Sequence, residues 1–323
     1  MSDLPFASLV PDSILTCVEQ ATGRRLLNVC RPHASYINRV YELQDENGEF
    51  IVVKFYRPGR WSHQALIDEQ RFVIDCAEQE LPVIAPLPFA DGSFLSTFKK
   101  ISFAVYPRCG GRLVDEYTDD QWLEFGRLLG RVHSVGKQGD APGRNRLHPQ
   151  QTSREQISYI LKSGLIPEPL RSKFIAQTDE LLNLLTPLFE NLETIRLHGD
   201  CHPANLIYRP GESFFIIDFD DMVVGPPVQD IWMLLPDTID ESRMELALLL
   251  EGYETFTRFD RSTLKLIEPL RAMRYIHYIS WCLRQYLEDG STRIDETFGS
   301  YNYWQQEIAD LEDQLQVIRK SLS

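Results

Sequence analysis

The sequence predicts an α+β fold in which a small β-rich domain precedes a larger, mainly helical one. In the first third of the chain, apolar segments of strand length are separated by turn residues, and Asn47-Gly48 between two of them is typical of a hairpin. Paired glycines at 110–111 relax the backbone and form a natural hinge. Beyond them, apolar residues recur at helical spacing. We therefore predict two domains, residues 1–107 and residues 108–323.

The smaller domain is predicted to be an antiparallel sheet with one inserted helix, preceded by a short helix. Apolar residues at helical spacing indicate the short helix over residues 11–22. The inserted helix covers residues 62–80, and Ser62 is the type of residue that caps a helix N-terminus. The predicted strands and hairpins are the segments 24–30, 38–44, 49–56 and 96–108.

The larger domain is predicted to be helical except for one hairpin. The hairpin joins residues 205–208 to residues 214–218 across Arg-Pro-Gly-Glu-Ser, which contains the proline and glycine of a turn. The predicted helices are residues 119–136, 153–162, 167–190, 228–235, 241–258, 262–288 and 301–321.

The composition excludes several classes of protein. Hydrophobic residues make up 43% and charged residues 25% of the chain, which is typical of a soluble globular protein. The net charge of −14, without a block of lysine and arginine, argues against a nucleic-acid partner. No window approaches the ~18 consecutive apolar residues of a membrane span, and the first residues are not a secretory signal. Six scattered cysteines without a Cys-x-x-Cys pair indicate reduced thiols in a cytoplasmic protein.

The segment 196–222, RLHGDCHPANLIYRPGESFFIIDFDDM, concentrates polar side chains around the predicted hairpin. The hairpin brings Asn205 and Asp218, at its two outer ends, near each other, and Asp200 lies just before it. Two carboxylates and an amide oxygen form an oxygen-only ligand set of the kind that suits Mg²⁺, which shares its remaining positions with water and phosphates.

A second interpretation of this segment is a metal-dependent hydrolase. His198 and His202 are four residues apart, which is the spacing of a zinc-binding pair on a helix. Gly199 and Pro203 argue against a helix here. We therefore predict that His198 packs beneath the loop, and the role of His202 stays open.

The same segment carries a family resemblance. His-Gly-Asp-x-His-x-x-Asn followed by Ile-Asp-Phe-Asp is similar to the catalytic signature of the protein-kinase-like phosphotransferases, which include aminoglycoside and choline kinases. Together with VVKFYRPGRW, FAVYP…GGR, LHGDCHPANL, VQDIWMLL and IEPLRAMR, the chain resembles the stress response kinase A family of bacterial, eukaryotic-like Ser/Thr protein kinases. The resemblance extends from about residue 35 to residue 275.

This resemblance implies a bilobal protein-kinase-like fold, with a small antiparallel β-rich N-lobe, a larger helical C-lobe and ATP in the cleft. Lys54 would contact the nucleotide phosphates and pair with Glu69, with Asp68 as the alternative partner. The backbone from Tyr106 to Cys109 would take the adenine edge, and Ser35 would lie at the ATP. The chain lacks Gly-x-Gly-x-x-Gly, so PHASYINR would cover the phosphates with side-chain hydroxyls and amides.

The resemblance also implies the chemistry. Asp200 would be the base that accepts or orients the proton of the acceptor hydroxyl, and Asn205 and Asp218 would hold Mg²⁺ on the phosphates, so that Asp200 and Asp218 are the catalytic pair. The implied protein is a monomeric, cytoplasmic, Mg- and ATP-dependent kinase. It phosphorylates serine and threonine in proteins, itself included, and acts in stress response and cell survival.

Three alternatives stay open at this point. The same machinery serves small-molecule kinases that act on choline, homoserine, sugars or aminoglycosides, and the motifs do not separate these from protein kinases. A nucleotide-binding module without turnover is a further possibility, although Lys54, Asp200, Asn205 and Asp218 are all present. Asp220 and Asp221 are either a second metal ligand and a substrate contact, or solvated acids of a loop.

Overall fold

The computed structural model describes residues 6–114, 116–289 and 296–322. Its strands are β1 (Leu26–His33), β2 (Arg39–Asp45), β3 (Phe50–Phe55), β4 (Ser96–Phe98), β5 (Ile101–Pro107), β6 (Ile195–Leu197), β7 (Leu206–Tyr208), β8 (Phe214–Ile216) and β9 (Val223–Gly225). Its α-helices are α1 (Pro11–Thr22), α2 (His63–Glu78), α3 (Asp119–Gly136), α4 (Arg154–Lys162), α5 (Glu168–Leu185), α6 (Val228–Trp232), α7 (Arg243–Tyr253), α8 (Ile267–Asp289) and α9 (Tyr301–Leu322). The predicted α+β class is confirmed, with an antiparallel sheet in the N-terminal region and helices in the C-terminal region.

The N-terminal sheet has five antiparallel strands in the order β1-β2-β3-β5-β4. The predicted hairpin joins β2 to β3, and the Gly48 N–H donates to the Asp45 carbonyl within its turn. Strand side chains alternate between the two faces of a sheet. On β3 this places Ile51, Val53 and Phe55 in the core and leaves Lys54 on the opposite face.

The helix α2 begins where the sequence predicts. The Ser62 hydroxyl accepts a hydrogen bond from the Ala65 N–H and so caps the first turn. Phe72 and Cys76 are fully buried on one face, and Glu69, only 2% exposed, lies on the buried side as well. A carboxylate buried to this extent requires compensating partners.

Four of the predicted helices are shorter than their patterns. Those predicted for residues 228–235 and 241–258 are α6 (Val228–Trp232) and α7 (Arg243–Tyr253). The helix predicted for residues 167–190 ends at Leu185 and continues as a 3₁₀ turn, Thr186–Phe189, which contains Pro187. Proline lacks an N–H and disfavours a continued α-helix. The helix predicted for residues 262–288 begins with a 3₁₀ segment, Arg261–Leu266, before α8.

The described residues form two compact units. One consists of the described parts of Met1–Arg144, Arg196–Met222 and Met233–Arg258, and contains the five-stranded sheet, α2, α3, α7 and the hairpin β7–β8. The other consists of those of Asn145–Ile195, Val223–Trp232 and Phe259–Ser323. The domain boundary after residue 107 stays a prediction. Over the part of the chain that the structure covers, the helices lack the combination of length and apolar character needed to span a bilayer.

Candidate active site

The hairpin β7–β8 brings together the two residues at its outer ends. Leu206 pairs with Ile216, and the Ile217 N–H donates to the Asn205 carbonyl at 3.0 Å. The residue after Ile217 is Asp218. The strand pairing therefore places the Asn205 and Asp218 positions side by side, as the sequence predicts.

His198 supports the loop that carries Asp200. Its ring is fully buried, 4.7 Å from the ring of Phe219, and its Nε2 lies 2.8 Å from the Ile217 carbonyl oxygen. The Asp200 N–H donates to Nδ1 at 3.3 Å, which makes Nε2 the protonated nitrogen. Gly199 between them has φ +83°, a conformation that residues with a Cβ rarely adopt. The predicted structural role of His198 is confirmed.

Asn205 and Asp218 offer a donor set that suits a hard divalent cation. The Asn205 Nδ2 donates to the Asp200 carbonyl at 2.9 Å, so its Oδ1 is the atom left to bind a ligand. Asp218 has φ +62°, a strained value for a non-glycine residue, and its side chain is 54% exposed. An amide oxygen and an accessible carboxylate are ligands that Mg²⁺ accepts. Throughout residues 6–114, 116–289 and 296–322, no group of three His, Cys, Asp or Glu side chains is placed to share a metal ion.

The ion-pair partners of Lys54 differ from the predicted one. Its Nζ lies 2.8 Å from Asp218 Oδ1 and 3.2 Å from Asp220 Oδ1, whereas the sequence predicts an ion pair with Glu69. Burial acts to lower the pKa of Lys54, but the charges of Asp218, Asp220 and Glu69 outweigh it and hold the pKa well above its ordinary value. Lys54 is therefore a permanent cation fixed between two carboxylates.

Glu69 binds another cation, Arg144, instead. The Arg144 Nη2 lies 2.7 Å from Glu69 Oε2, and neither side chain is more than 2% exposed. The Tyr56 hydroxyl donates to Glu69 Oε1 at 3.0 Å. Arg144 also donates to the backbone carbonyls of Ala65 and Asp220, each at 2.7 Å. The guanidinium thus joins helix α2 to the chain segment that follows Asp218.

The pH dependence of stability tests the buried state of Glu69. Burial raises the pKa of Glu69 from 4.5 to about 7, against the opposing charges of Lys54 and Arg144. The folded state then binds a proton that the unfolded chain releases, so this contribution is complete below pH 4.5 and is lost as the pH rises through about 7. We expect Glu69→Gln to remove this part of the pH dependence. Denaturant unfolding of both proteins across that pH range measures it, and coincident pH profiles would contradict the expectation.

Asp220 is buried rather than solvated, whereas the Asp221 side chain is 27% exposed. Asp220 is 5% exposed and contacts Lys54, Arg60 and Asn38, and the Arg60 guanidinium also contacts Asp221 at 2.6 Å. Burial would raise the pKa of Asp220, but the charges of Lys54 and Arg60 dominate and hold the pKa well below its usual range. Both acids are therefore held in ion pairs.

Sequence reasoning missed three partners of the buried acids: Arg60 and Asn38, which contact Asp220, and Arg144, which pairs with Glu69. One signal was available. The two adjacent aspartates at the end of FFIIDFDD, if buried, require cationic partners, and RPGRW supplies Arg60. No comparable sequence pattern near Arg144 indicates its ion pair with Glu69.

A pocket of about 380 Å³ opens beside Lys54. Its lining includes all five residues predicted to bind the nucleotide, together with the predicted metal ligand Asp218; the five are Ser35, Lys54, Glu69, Tyr106 and Cys109. Apolar walls come from Val40, Val52, Val73, Ile84, Ile207 and Ile216. Asp200 and Asn205 are not part of the lining, but the Asn205 carbonyl accepts a hydrogen bond from Ile217, which is part of it. An apolar pocket with a few convergent charged groups is typical of a ligand site.

Tyr106 and Cys109, at the two ends of the backbone predicted to take the adenine edge, have different surroundings. The Tyr106 hydroxyl is hydrogen-bonded to Gln70 at 3.0 Å and lies 3.1 Å from the Tyr56 hydroxyl, and burial raises the pKa of Tyr106 to about 12. The Cys109 thiol is partly exposed and accepts a hydrogen bond from Arg209 at 3.1 Å. Their side chains are thus held in place, and Tyr106, Pro107 and Cys109 line the pocket.

Comparison with known proteins gives full-length relatives. The model of the phosphotransferase enzyme family (APH) matches residues 29–267. Stress response kinase A of Escherichia coli K12 is 36% identical over 320 residues, 99% of this chain and 96% of the relative. Serine/threonine protein kinase RdoA of Salmonella typhimurium is 34% identical over 316 residues, 98% of this chain and 95% of the relative.

Solved structures show the same fold at lower identity. Amicoumacin kinase hAmiN, in complex with AMP-PNP, Ca²⁺ and Ami, has a TM-score of 0.77 at 19% identity and covers 95% of both chains. Spectinomycin phosphotransferase APH(9)-Ia, in complex with ADP and spectinomycin, has a TM-score of 0.65 at 14% identity and covers 95% of this chain and 99% of its own. These similarities confirm the kinase-like fold predicted from the motifs.

Proposed function

The chain belongs to the phosphotransferase enzyme family and to the stress response kinase A group of relatives, and we propose that it transfers the γ-phosphate of ATP to serine and threonine hydroxyls of proteins. The observation that carries the proposal is one chain of contacts. Lys54 contacts Asp218, the Asp218 position is joined to Asn205 by strand pairing, and Asn205 binds the backbone of Asp200. A phosphate-binding cation, two metal-ligand types and a carboxylate base are thus held within one unit.

Each residue has a separate task in the proposed reaction. Lys54 places a fixed positive charge where the nucleotide phosphates would lie, beside the pocket. Asp200 accepts or orients the proton of the acceptor hydroxyl, and its partly exposed carboxylate, at 17% exposure, is open to a substrate. His202 Nε2 lies 3.5 Å from the Asp200 carboxylate and adds a second polar group there. Catalysis is then mainly positioning and charge stabilisation.

Asn205 and Asp218 would hold Mg²⁺, which supplies charge neutralisation on the phosphates when bound. The fit rests on the oriented amide of Asn205 and the accessible carboxylate of Asp218, described above. The amicoumacin kinase complex contains Ca²⁺ together with the ATP analogue, which supports the use of a divalent cation here.

The adenine edge is proposed to lie against the backbone that follows β5. Pro107 has no N–H, so its backbone offers only an acceptor, and Cys109, two residues further on, offers both an acceptor and a donor. Pro107 and Cys109 both line the pocket. A donor and an acceptor at this spacing can bind the two kinds of polar group on an adenine edge.

The protein acceptor is proposed from the full-length relatives, whose printed names include a serine/threonine protein kinase. A small-molecule acceptor is the second candidate, because the solved structures of similar fold bind amicoumacin and spectinomycin. The higher identity of the protein-kinase relatives favours the first candidate. We further propose a monomer that acts in the cytoplasm during stress. All six cysteines are free thiols, which supports a reducing compartment.

Autophosphorylation separates the two acceptors. Purified protein incubated with Mg²⁺ and γ-labelled ATP is expected to label itself and a generic protein substrate. Absence of label on any protein, together with rapid ATP consumption when amino alcohols, sugars or aminoglycosides are added, would instead favour the small-molecule acceptor. Mapping of the labelled peptide to serine or threonine completes the test.

Thiol labelling tests the position of the nucleotide. Cys109 lines the pocket, whereas Cys30 on β1 is also partly exposed but does not line it, and the other four cysteines are buried. We expect ATP to slow the alkylation of Cys109 by iodoacetamide several-fold and to leave that of Cys30 unchanged. Peptide mass spectrometry measures both rates in one sample. Equal slowing at the two sites, or at neither, would contradict the proposed position.

A further inference from the structure

Asp220 occupies the place that Glu69 was predicted to take beside Lys54. We infer that Asp220 is the residue that positions Lys54 for the phosphates once Asp218 is engaged by the metal ion. This inference rests on the proposed function, and it assigns to Asp220 a positioning role in the same site.

The argument begins with the two carboxylates on Lys54. Asp218 Oδ1, at 2.8 Å, is the nearer one, but Asp218 is also the proposed metal ligand. A carboxylate that binds a divalent cation has less charge to offer a lysine. Lys54 is only 13% exposed, and a buried ammonium group requires a remaining anion. Asp220 Oδ1, at 3.2 Å, is that anion.

Asp220 is itself held in place. Its Oδ2 contacts the Arg60 guanidinium and accepts a hydrogen bond from Asn38 Nδ2 at 2.9 Å. The Asn38 Oδ1 accepts the Arg57 N–H at 3.1 Å, so the amide is fixed at both ends. A carboxylate with its second oxygen bound twice cannot follow a moving lysine. It therefore defines where Lys54 Nζ lies.

Asn38 extends the effect to the loop that covers the pocket. It lies in the loop between β1 and β2, and Ala34, Ser35 and Asn38 of this loop line the pocket. Through Asn38, Asp220 connects this loop to Lys54. The loop and the lysine are thus both held by one carboxylate. This is the arrangement needed to place both against one set of phosphates.

Glu69 cannot take over this role without losing Arg144. Its Oε2 is engaged by Arg144 at 2.7 Å and its Oε1 by the Tyr56 hydroxyl at 3.0 Å. Breaking a buried ion pair leaves an uncompensated charge. The geometry therefore separates two pairs, Lys54 with Asp220 and Arg144 with Glu69.

A double-mutant cycle on nucleotide binding tests the pairing in the full chain. The variants are Asp220→Asn, Lys54→Met and the double variant, and a parallel cycle replaces Asp220→Asn by Glu69→Gln. Calorimetry measures the dissociation constant of AMP-PNP with saturating Mg²⁺. The factor by which Asp220→Asn changes this dissociation constant should be at least fivefold larger with Lys54 present than in the Lys54→Met background. A coupling of this size is within the range of coupled buried pairs. For Glu69→Gln, whose charge acts on Lys54 less strongly than that of Asp220, the two factors should differ from each other less than they do for Asp220→Asn.

The magnesium dependence separates positioning from metal binding. Because Asp220 acts through Lys54, Asp220→Asn should lower kcat while the Mg²⁺ concentration for half-maximal nucleotide binding stays within about twofold. A tenfold rise in that Mg²⁺ concentration, independent of Lys54, would make Asp220 a metal ligand and overturn the inference. Equal effects of Asp220→Asn on the dissociation constant in both Lys54 backgrounds would also overturn it. If Asp220→Asn does not fold, Asn38→Ala takes its place in the cycle. The wild-type protein failing to bind AMP-PNP would refute the proposed function itself, whereas binding without coupling refutes only this inference.

Discussion

Replacement of Asp200 by alanine is expected to abolish phosphate transfer and to leave nucleotide binding nearly unchanged. The carboxylate accepts or orients the proton of the acceptor hydroxyl, and loss of such a group costs roughly 10²- to 10⁴-fold in rate. The Asp200 side chain does not line the nucleotide pocket, so the dissociation constant of AMP-PNP should stay within a few-fold. Transfer of labelled phosphate measures the first quantity and calorimetry the second.

The structure explains why this substitution should leave the loop intact. Two of the contacts that hold the loop are made by the Asp200 backbone, whose N–H donates to His198 and whose carbonyl accepts from Asn205. Both remain in Asp200→Ala. Asp200→Asn is the matched control, because it keeps the shape of the side chain and removes only the base. If either variant transfers phosphate at the wild-type rate, Asp200 is not the base.

The elements that local patterns determine could be predicted from the sequence. The hairpin β7–β8 follows from two apolar segments around a proline-glycine turn, and its register places Asn205 beside Asp218. The cap of α2 at Ser62 follows from residue type and the apolar stripe. Lys54 faces the pocket because strand residues alternate. In each case, the local structure is determined by residues within one or two helical turns or within one or two strands.

The ion pairs of the site could not be predicted in the same way. Arg144 meets Glu69 across 75 positions, and Arg60 meets Asp220 across 160. Contacts between residues this far apart in the sequence leave no periodic residue pattern from which they could be predicted. The family pattern predicted Lys54 with Glu69, but it does not reveal that a buried arginine competes for the glutamate. An arginine binds a carboxylate and several carbonyls with one planar group, which a lysine cannot do.

Replacement of Arg144 by alanine is expected to be the most destabilising single change among the residues discussed. It leaves Glu69 buried without the guanidinium that contacts it at 2.7 Å, and it deprives the carbonyls of Ala65 and Asp220 of their donor. Removal of one partner of a buried pair costs about 3–5 kcal/mol of the free energy of unfolding. It also removes the guanidinium that lies 4.4 Å from the centre of the Trp61 ring. Denaturant unfolding followed by circular dichroism measures the loss.

Two further variants decide whether the buried pair is the cause. Arg243 pairs with Asp240 at the surface, with side chains 75% and 82% exposed, so Arg243→Ala should change the free energy of unfolding far less. Combining Arg144→Met with Glu69→Leu removes both charges and should recover much of the stability lost in Arg144→Ala, because the uncompensated carboxylate is the main penalty. Recovery without restored phosphate transfer would show that the pair also orders the segment after Asp218. A loss in Arg144→Ala no larger than in Arg243→Ala would refute the role of the buried pair in holding α2 to that segment.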